Sequence, residues 1–195
     1  MTSVLARACG LLVLSGIPSL QAVAQSEPMA VEVAPFRSVE LRHGGKAILR
    51  HGPTQRVTFL KGSRDCTQIS TASGDQLVIE KRKSKGDERC ELEIEIITPE
   101  LDRVTVAQGG TIQSRGTFPR QAEIGVTVDN GGTIDIRSMS VGSVTASVLS
   151  GGRILARPLT VIAATVVDGG TITYWGDARV TQSIEHGGSV TKGAP

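Results

Sequence analysis

One short phrase returns five times between Val104 and Val190: an apolar residue three places before a Gly-Gly pair and another three places after its first glycine. The pairs are Gly109-Gly110, Gly131-Gly132, Gly151-Gly152, Gly169-Gly170 and Gly187-Gly188, their first glycines 22, 20, 18 and 18 residues apart. An earlier copy, Gly44-Gly45, stands alone with Leu41 and Ala47 in the same phase. The position before the turn reads Val106, Val128, Val148, Val166, Ile184, and the position after it Ile112, Ile134, Ile154, Ile172, Val190. Thr105, Thr127, Ser147, Thr165 and Ser183 fill the column one place earlier, so apolar and hydroxyl residues alternate with the period of a half-buried strand. The apolar columns are expected inside and the hydroxyls outside.

A repeat of 18–22 residues is the mark of a solenoid, whose units bury their apolar columns against one another. At about 3.3 Å per extended residue, an 18-residue coil has a perimeter of about 60 Å less its corners, enough for a narrow core. A run of hairpins is the rival geometry. Val126 to Ile136 also reads as two strands about Asn130-Gly131-Gly132, with Val128 opposite Ile134, so residue phase alone leaves both open.

Residues 1–24 read as a secretory signal: Arg7 supplies the charge, Leu11 to Leu14 the apolar centre, and Ala22-Val23-Ala24 the small-residue cleavage pattern. The apolar run is shorter than the ~20 residues of a membrane span, so no transmembrane anchor is expected after cleavage. Export to the periplasm is the default address, with the cell surface or secretion as alternatives. Cleavage would leave 20 of the 21 Lys and Arg against 19 Asp and Glu. With aromatic residues at 3% as well, the chain has neither the basic footprint nor the stacking rings of a nucleic-acid binder. Cys66 and Cys90, the two cysteines beyond the signal, are expected to form a disulfide in an oxidising compartment, closing a loop of about 25 residues.

Residues 25–35 form an extended lead-in, and 36–195 a single domain. Within its first half, Val39 to Leu41, Arg56 to Leu60, Leu77 to Glu80 and Glu91 to Ile97 are strand candidates separated by turn signals. They are expected to build the first coils or a sheet capping the stack. The mixed-sign run Glu80 to Arg89 reads as a solvated loop.

The order of these parts resembles the bacterial auto-transporter adhesin head family, the GIN domain. The resemblance lies in Val33 to Leu41 leading into Gly44-Gly45, then Leu77-Val78-Ile79, then Ile97-Thr98-Pro99-Glu100-Leu101-Asp102 before the ladder, and it covers about Val31 to Val190. It implies an all-β right-handed parallel β-helix exported to the cell envelope, without established enzymatic activity. The family's turns often read Gly-Ser-Gly where this chain has Gly-Gly.

Chemistry is sparse. The polar column before each glycine pair reads His43, Gln108, Asn130, Ser150, Asp168, His186; stacked in register, Asp168 and His186 would be neighbours, a candidate acid–base pair or a plain polar turn. His43 and His51 lack a third ligand, so no metal is expected, and no cofactor. Asp135 and Asp168 are the conceivable carboxylate pair for glycoside hydrolysis. Tyr174-Trp175 is the one aromatic pair, and an exposed ring there could stack on a sugar or anchor a partner, with Arg153 and Arg157 on the preceding coil as companions for an acidic ligand. The expected function is a non-enzymatic envelope protein presenting a flat β surface to a polysaccharide, a protein or another copy of itself. A β-helical carbohydrate-active enzyme and a purely structural spacer are the alternatives.

Overall fold

The computed structural model describes residues 29–72, 75–82 and 90–194. Residues 1–24, where a secretory signal is expected, and the charge run beyond Arg82 as far as Arg89 lie outside the described residues. The strands of the first half are β1 (Met29–Val31), β2 (Ser38–Arg42), β3 (Lys46–His51), β4 (Arg56–Lys61), β5 (Thr67–Ala72), β6 (Gln76–Lys81) and β7 (Glu93–Thr98). The ladder supplies β8 (Arg103–Ala107), β9 (Thr111–Ser114), β10 (Gln121–Asp129), β11 (Thr133–Asp135), β12 (Val141–Ser150), β13 (Arg153–Ala156), β14 (Pro158–Asp168), β15 (Thr171–Tyr174), β16 (Arg179–Ile184) and β17 (Ser189–Lys192).

Each glycine pair carries the chain from one sheet to the other. Residues before it join a sheet of order β16-β14-β12-β10-β8-β2-β6-β5, and residues after it a sheet of order β1-β4-β7-β3-β9-β11-β13-β15-β17. Equivalent residues pair in parallel: Val128 lies beside Val106 and Val148, and Ile134 beside Ile112 and Ile154. This pairing excludes the hairpin, because Val128 and Ile134 belong to different sheets. The protein is thus all-β with two mixed sheets, neither closed into a barrel.

Alternation sets the core. Val106, Val128, Val148 and Val166 from one sheet meet Ile112, Ile134, Ile154 and Ile172 from the other in a single buried cluster. Each such side chain contributes about 1.5–3 kcal/mol by leaving water. The hydroxyl column is half-buried at Thr105, Thr127, Ser147 and Thr165 and exposed at Ser183. In the last repeat the inner columns open: Ile184 is 42% exposed and Val190 only partly covered, since among the described residues β16 and β17 are the edge strands.

The first half is ordered differently in space than in sequence. The lone early copy, β2 and β3, sits directly against β8 and β9, while β6 and β7 stack on its other side in parallel. Antiparallel strands then close that end: β4 on β7, β1 on β4, and β5 on β6. The first half therefore supplies both repeat layers and a cap. Met29–Val31, inside the expected lead-in, is itself a strand of the cap. Cys66 ends a one-turn helix and is bonded to Cys90, their Cα atoms 6.3 Å apart.

The turn column departs from easy backbone geometry. His43, Gln108, Asn130 and His186 all have φ between +51° and +61°, the left-handed region that suits Gly, Asn and His better than Gln. Gln108→Asn, placing at an exposed site the residue its neighbouring repeat already uses, is expected to raise stability by about 0.5–1 kcal/mol. A denaturant midpoint unchanged or lowered would show that the Gln108 side chain compensates for its backbone.

Candidate functional site

The position six after each first glycine reads Arg50, Arg115, Arg137, Arg157, Trp175, Gly193. Counted by alternation from the buried isoleucines, it faces outward at the end of each strand of the nine-stranded sheet. The sheet register carries it from repeat to repeat: the Arg115 N–H donates to the Leu49 carbonyl, that of Trp175 to Ala156 and that of Gly193 to Tyr174. The four arginines are exposed, and stacked strands space them about 4.8 Å apart.

Their partners differ. Arg50 Nε donates to Glu95 Oε1 at 2.7 Å. Arg137 forms a fork with Asp135, Nε to Oδ1 at 2.9 Å and Nη2 to Oδ2 at 2.7 Å, and these hydrogen bonds raise its pKa above the ordinary guanidinium value. Arg115 reaches only the Gln113 side-chain oxygen, at 3.3–3.4 Å. Among the described residues Arg115, Arg153 and Arg157 have no carboxylate within ion-pair reach.

Trp175 closes the column. The Arg137 guanidinium lies 5.0 Å from its ring centroid, a cation–π contact across two repeats. On its other side the indole lies on the backbone of Gly193, where an added Cβ would come within 2.2 Å of the ring, and Nε1 donates to the Ala194 carbonyl at 2.8 Å. Beside it Lys192 pairs with Asp177 at 2.8 Å, which holds that carboxyl below its usual range and lifts the lysine. Trp175 is half-buried, whereas Tyr174 takes the inward place and packs against the core.

Of the expected site residues, Arg153, Arg157 and Trp175 share this outer face, and Tyr174 does not. Arg50, Arg115 and Arg137 were not singled out from sequence, although aligning the repeats six places past each first glycine puts all three in one column. Asp168 and His186 are neighbours, Oδ1 to Nδ1 at 3.3 Å, but with their side chains 62% and 77% exposed they form an open turn contact. Asp135 and Asp168 belong to different sheets, the first held by Arg137 and the second by His186. His43 faces Glu80 and His51 the Pro99 carbonyl. Among the described residues no group of three or more His, Cys, Asp or Glu could hold a metal ion, and no helix is long and apolar enough to cross a membrane.

No family model matches the chain, and no curated protein matches it. Among solved structures it is similar to a "putative adhesin" from Bacteroides fragilis, with 15% identity over 85% of this chain and 94% of that one and a TM-score of 0.48. A "putative cell adhesion protein" from Clostridium sporogenes matches at 14% identity over 85% and 99% of the two chains, TM-score 0.46. A "putative adhesin" from Parabacteroides merdae matches at 12% identity over 86% and 96%, TM-score 0.43.

Proposed function

We propose that the chain is an exported, non-enzymatic protein of the cell envelope, a right-handed β-solenoid that binds a polysaccharide or protein on the outer face of its nine-stranded sheet. The carrying observation is the column Arg50, Arg115, Arg137, Arg157 and Trp175, which gathers exposed cations and the one Trp of the chain along a single edge. Right-handed crossovers are the strong rule for parallel strands of one sheet, which supports the hand. Export is supported by the signal-like residues 1–24 and by the Cys66–Cys90 bond, which suits an oxidising compartment such as the periplasm. A single domain over 36–195, preceded by the short segment 25–35, accords with one continuous core.

The test is incubation of the mature chain with envelope polysaccharides and envelope protein extract, following retained material and newly released reducing ends together. Saturable retention without release is expected. Trp175→Ala should weaken that retention by about tenfold, the worth of a good aromatic contact. It should also leave the unfolding midpoint within a few degrees, because the ring lies outside the core. Release of reducing ends that is lost in Asp168→Asn or Asp135→Asn would replace this reading with an enzyme. Retention indifferent to Trp175→Ala would move the binding surface elsewhere.

A further inference from the structure

Like charges set directly across neighbouring strands destabilise a sheet. The arginine column does this repeatedly, and the fold answers it unevenly. Arg50 has Glu95 and Arg137 has Asp135, whereas Arg115 and Arg157, which flank Arg137, have no carboxylate within ion-pair reach among the described residues, Arg115 acting on Glu93 only at longer range, and neither has Arg153 on the same face. The columns beside them are largely hydroxyl and amide, with Thr111, Gln113, Thr171 and Thr173 half-buried and uncharged. A chain that can pair Lys46 with Glu93 and Arg50 with Glu95 on the same sheet could have placed acids beside Arg115 and Arg157 too. Local frustration of this kind marks a surface shaped for something outside the fold.

Resting on the binding face already proposed, we infer that its ligand is a linear anionic polysaccharide, a carboxylate-bearing sugar chain lying along the stack with its acids on Arg115 and Arg157. Three observations converge. Successive positions of the column stand one strand apart, about 4.8 Å at the backbone, and an extended sugar chain advances by a comparable distance per ring. Asp135 supplies the local pattern, a carboxylate gripped by both Nε and Nη2 of Arg137 while the guanidinium lies by the indole. That forked grip is the geometry in which arginine recognises carboxylates. Arg115 and Arg157, exposed and without a carboxylate in ion-pair reach among the described residues, keep donors free for an outside acid. A nucleic acid would want a series of aromatic rings and a basic chain, but aromatics are 3% of the sequence and the net charge is +2. A membrane surface would want an apolar flank beside the cations.

The experiment titrates the mature chain with polygalacturonate and with its methyl-esterified form, which keeps the backbone and removes the charge, over a series of salt concentrations. A double-stranded DNA arm runs in parallel. The acid form should bind and the ester should bind at least about tenfold more weakly. In Arg115→Gln/Arg157→Gln the logarithmic salt slope should fall by roughly two, one for each lost contact. The same variant should unfold at an equal or higher midpoint, because two repelling charges are gone. Arg103→Gln/Arg179→Gln removes equal charge from exposed sites on the other sheet and should leave binding unchanged. Ester bound as well as acid, and indifferent to the Arg115/Arg157 variant, would overturn the anionic ligand while keeping a glycan-binding face. Equal weakening by both double variants, or DNA bound as tightly as the polymer, would reduce the column to diffuse attraction and overturn the inference. Binding of neither polymer would overturn it as well, and the effect of Trp175→Ala on retention from envelope extract would then decide separately whether the face binds anything.

Discussion

Gly152→Ala is expected to cost about 3 kcal/mol or more, and Gly151→Ala, one residue earlier in the same turn, only about 1 kcal/mol. The difference arises between repeats. A Cβ on Gly152 would lie 2.5 Å from Val128 Cγ1 and 2.9 Å from the Gly132 carbonyl oxygen, at a φ of +102° that side chains rarely adopt. On Gly151 it would meet nothing within 4 Å, at a φ of +69° near the left-handed region that other residues visit at modest cost. That same Gly132 oxygen accepts the N–H of Arg153, so a side chain at Gly152 would push against the hydrogen bond that stitches one repeat to the next. The Val contact recurs at Gly132 over Val106, Gly170 over Val148 and Gly188 over Val166. Urea unfolding of the two alanine variants separates the causes. Equal losses would mean that the turn conformation alone demands glycine, and a neutral Gly152→Ala would mean that neighbouring repeats are not packed as described.

This contact explains both what the sequence disclosed and what it hid. The Val and Ile columns were legible because their period is that of a strand and their spacing that of a repeat, and parallel register then lays like residues side by side. Whether the strands on either side of a turn paired with each other was not legible, since Val128 and Ile134 keep the same phase in a hairpin and in two separate sheets. Nor was the reason for a second glycine, because the atoms that exclude a side chain at Gly152 belong to the preceding repeat. In the first half the neighbours of β2 are β8 and β6, reached across long stretches of chain whose order in space is inverted, and no local pattern encodes that order. Ile184 and Val190 obey the inward pattern yet are partly exposed, because alternation sets direction and only the next repeat can supply cover.

The candidate site divides along the same line. Arg157 and Trp175 could be read as companions on adjacent repeats, and Arg115 and Arg137 stand in the same aligned column. The column before the glycines, where polar residues collect, draws the eye first. Its polarity belongs to turn geometry: four of its members have positive φ, and Asp168 and His186 meet only in the open. What separates the arginine column from an ordinary solvated face is that, among the described residues, Arg115 and Arg157 have no carboxylate within ion-pair reach. That depends on side-chain reach across strands and is not written in any one repeat.

Removing the Cys66–Cys90 bond is expected to lower stability by about 3 kcal/mol, the loop-closure value for a separation of 24 residues. For a chain of this size that corresponds to a fall of roughly 6–12 °C in the unfolding midpoint. The bond's position determines what else is lost. Cys66 leads into β5, which closes one sheet, and Cys90 stands just before β7, which closes the other with β4. One covalent link thus ties the caps of both sheets at the end of the stack. Cys66→Ser/Cys90→Ser, or wild type under reductant, should therefore lose amide protection first in β5 and β4, with β10 to β14 still protected, since the packed repeats carry their own core. Hydrogen exchange resolves the two regions. Uniform loss of protection from β4 to β16 would show that the repeats depend on the cap and unfold with it as one unit, and an unchanged midpoint would show that the antiparallel strands hold that end without the bond.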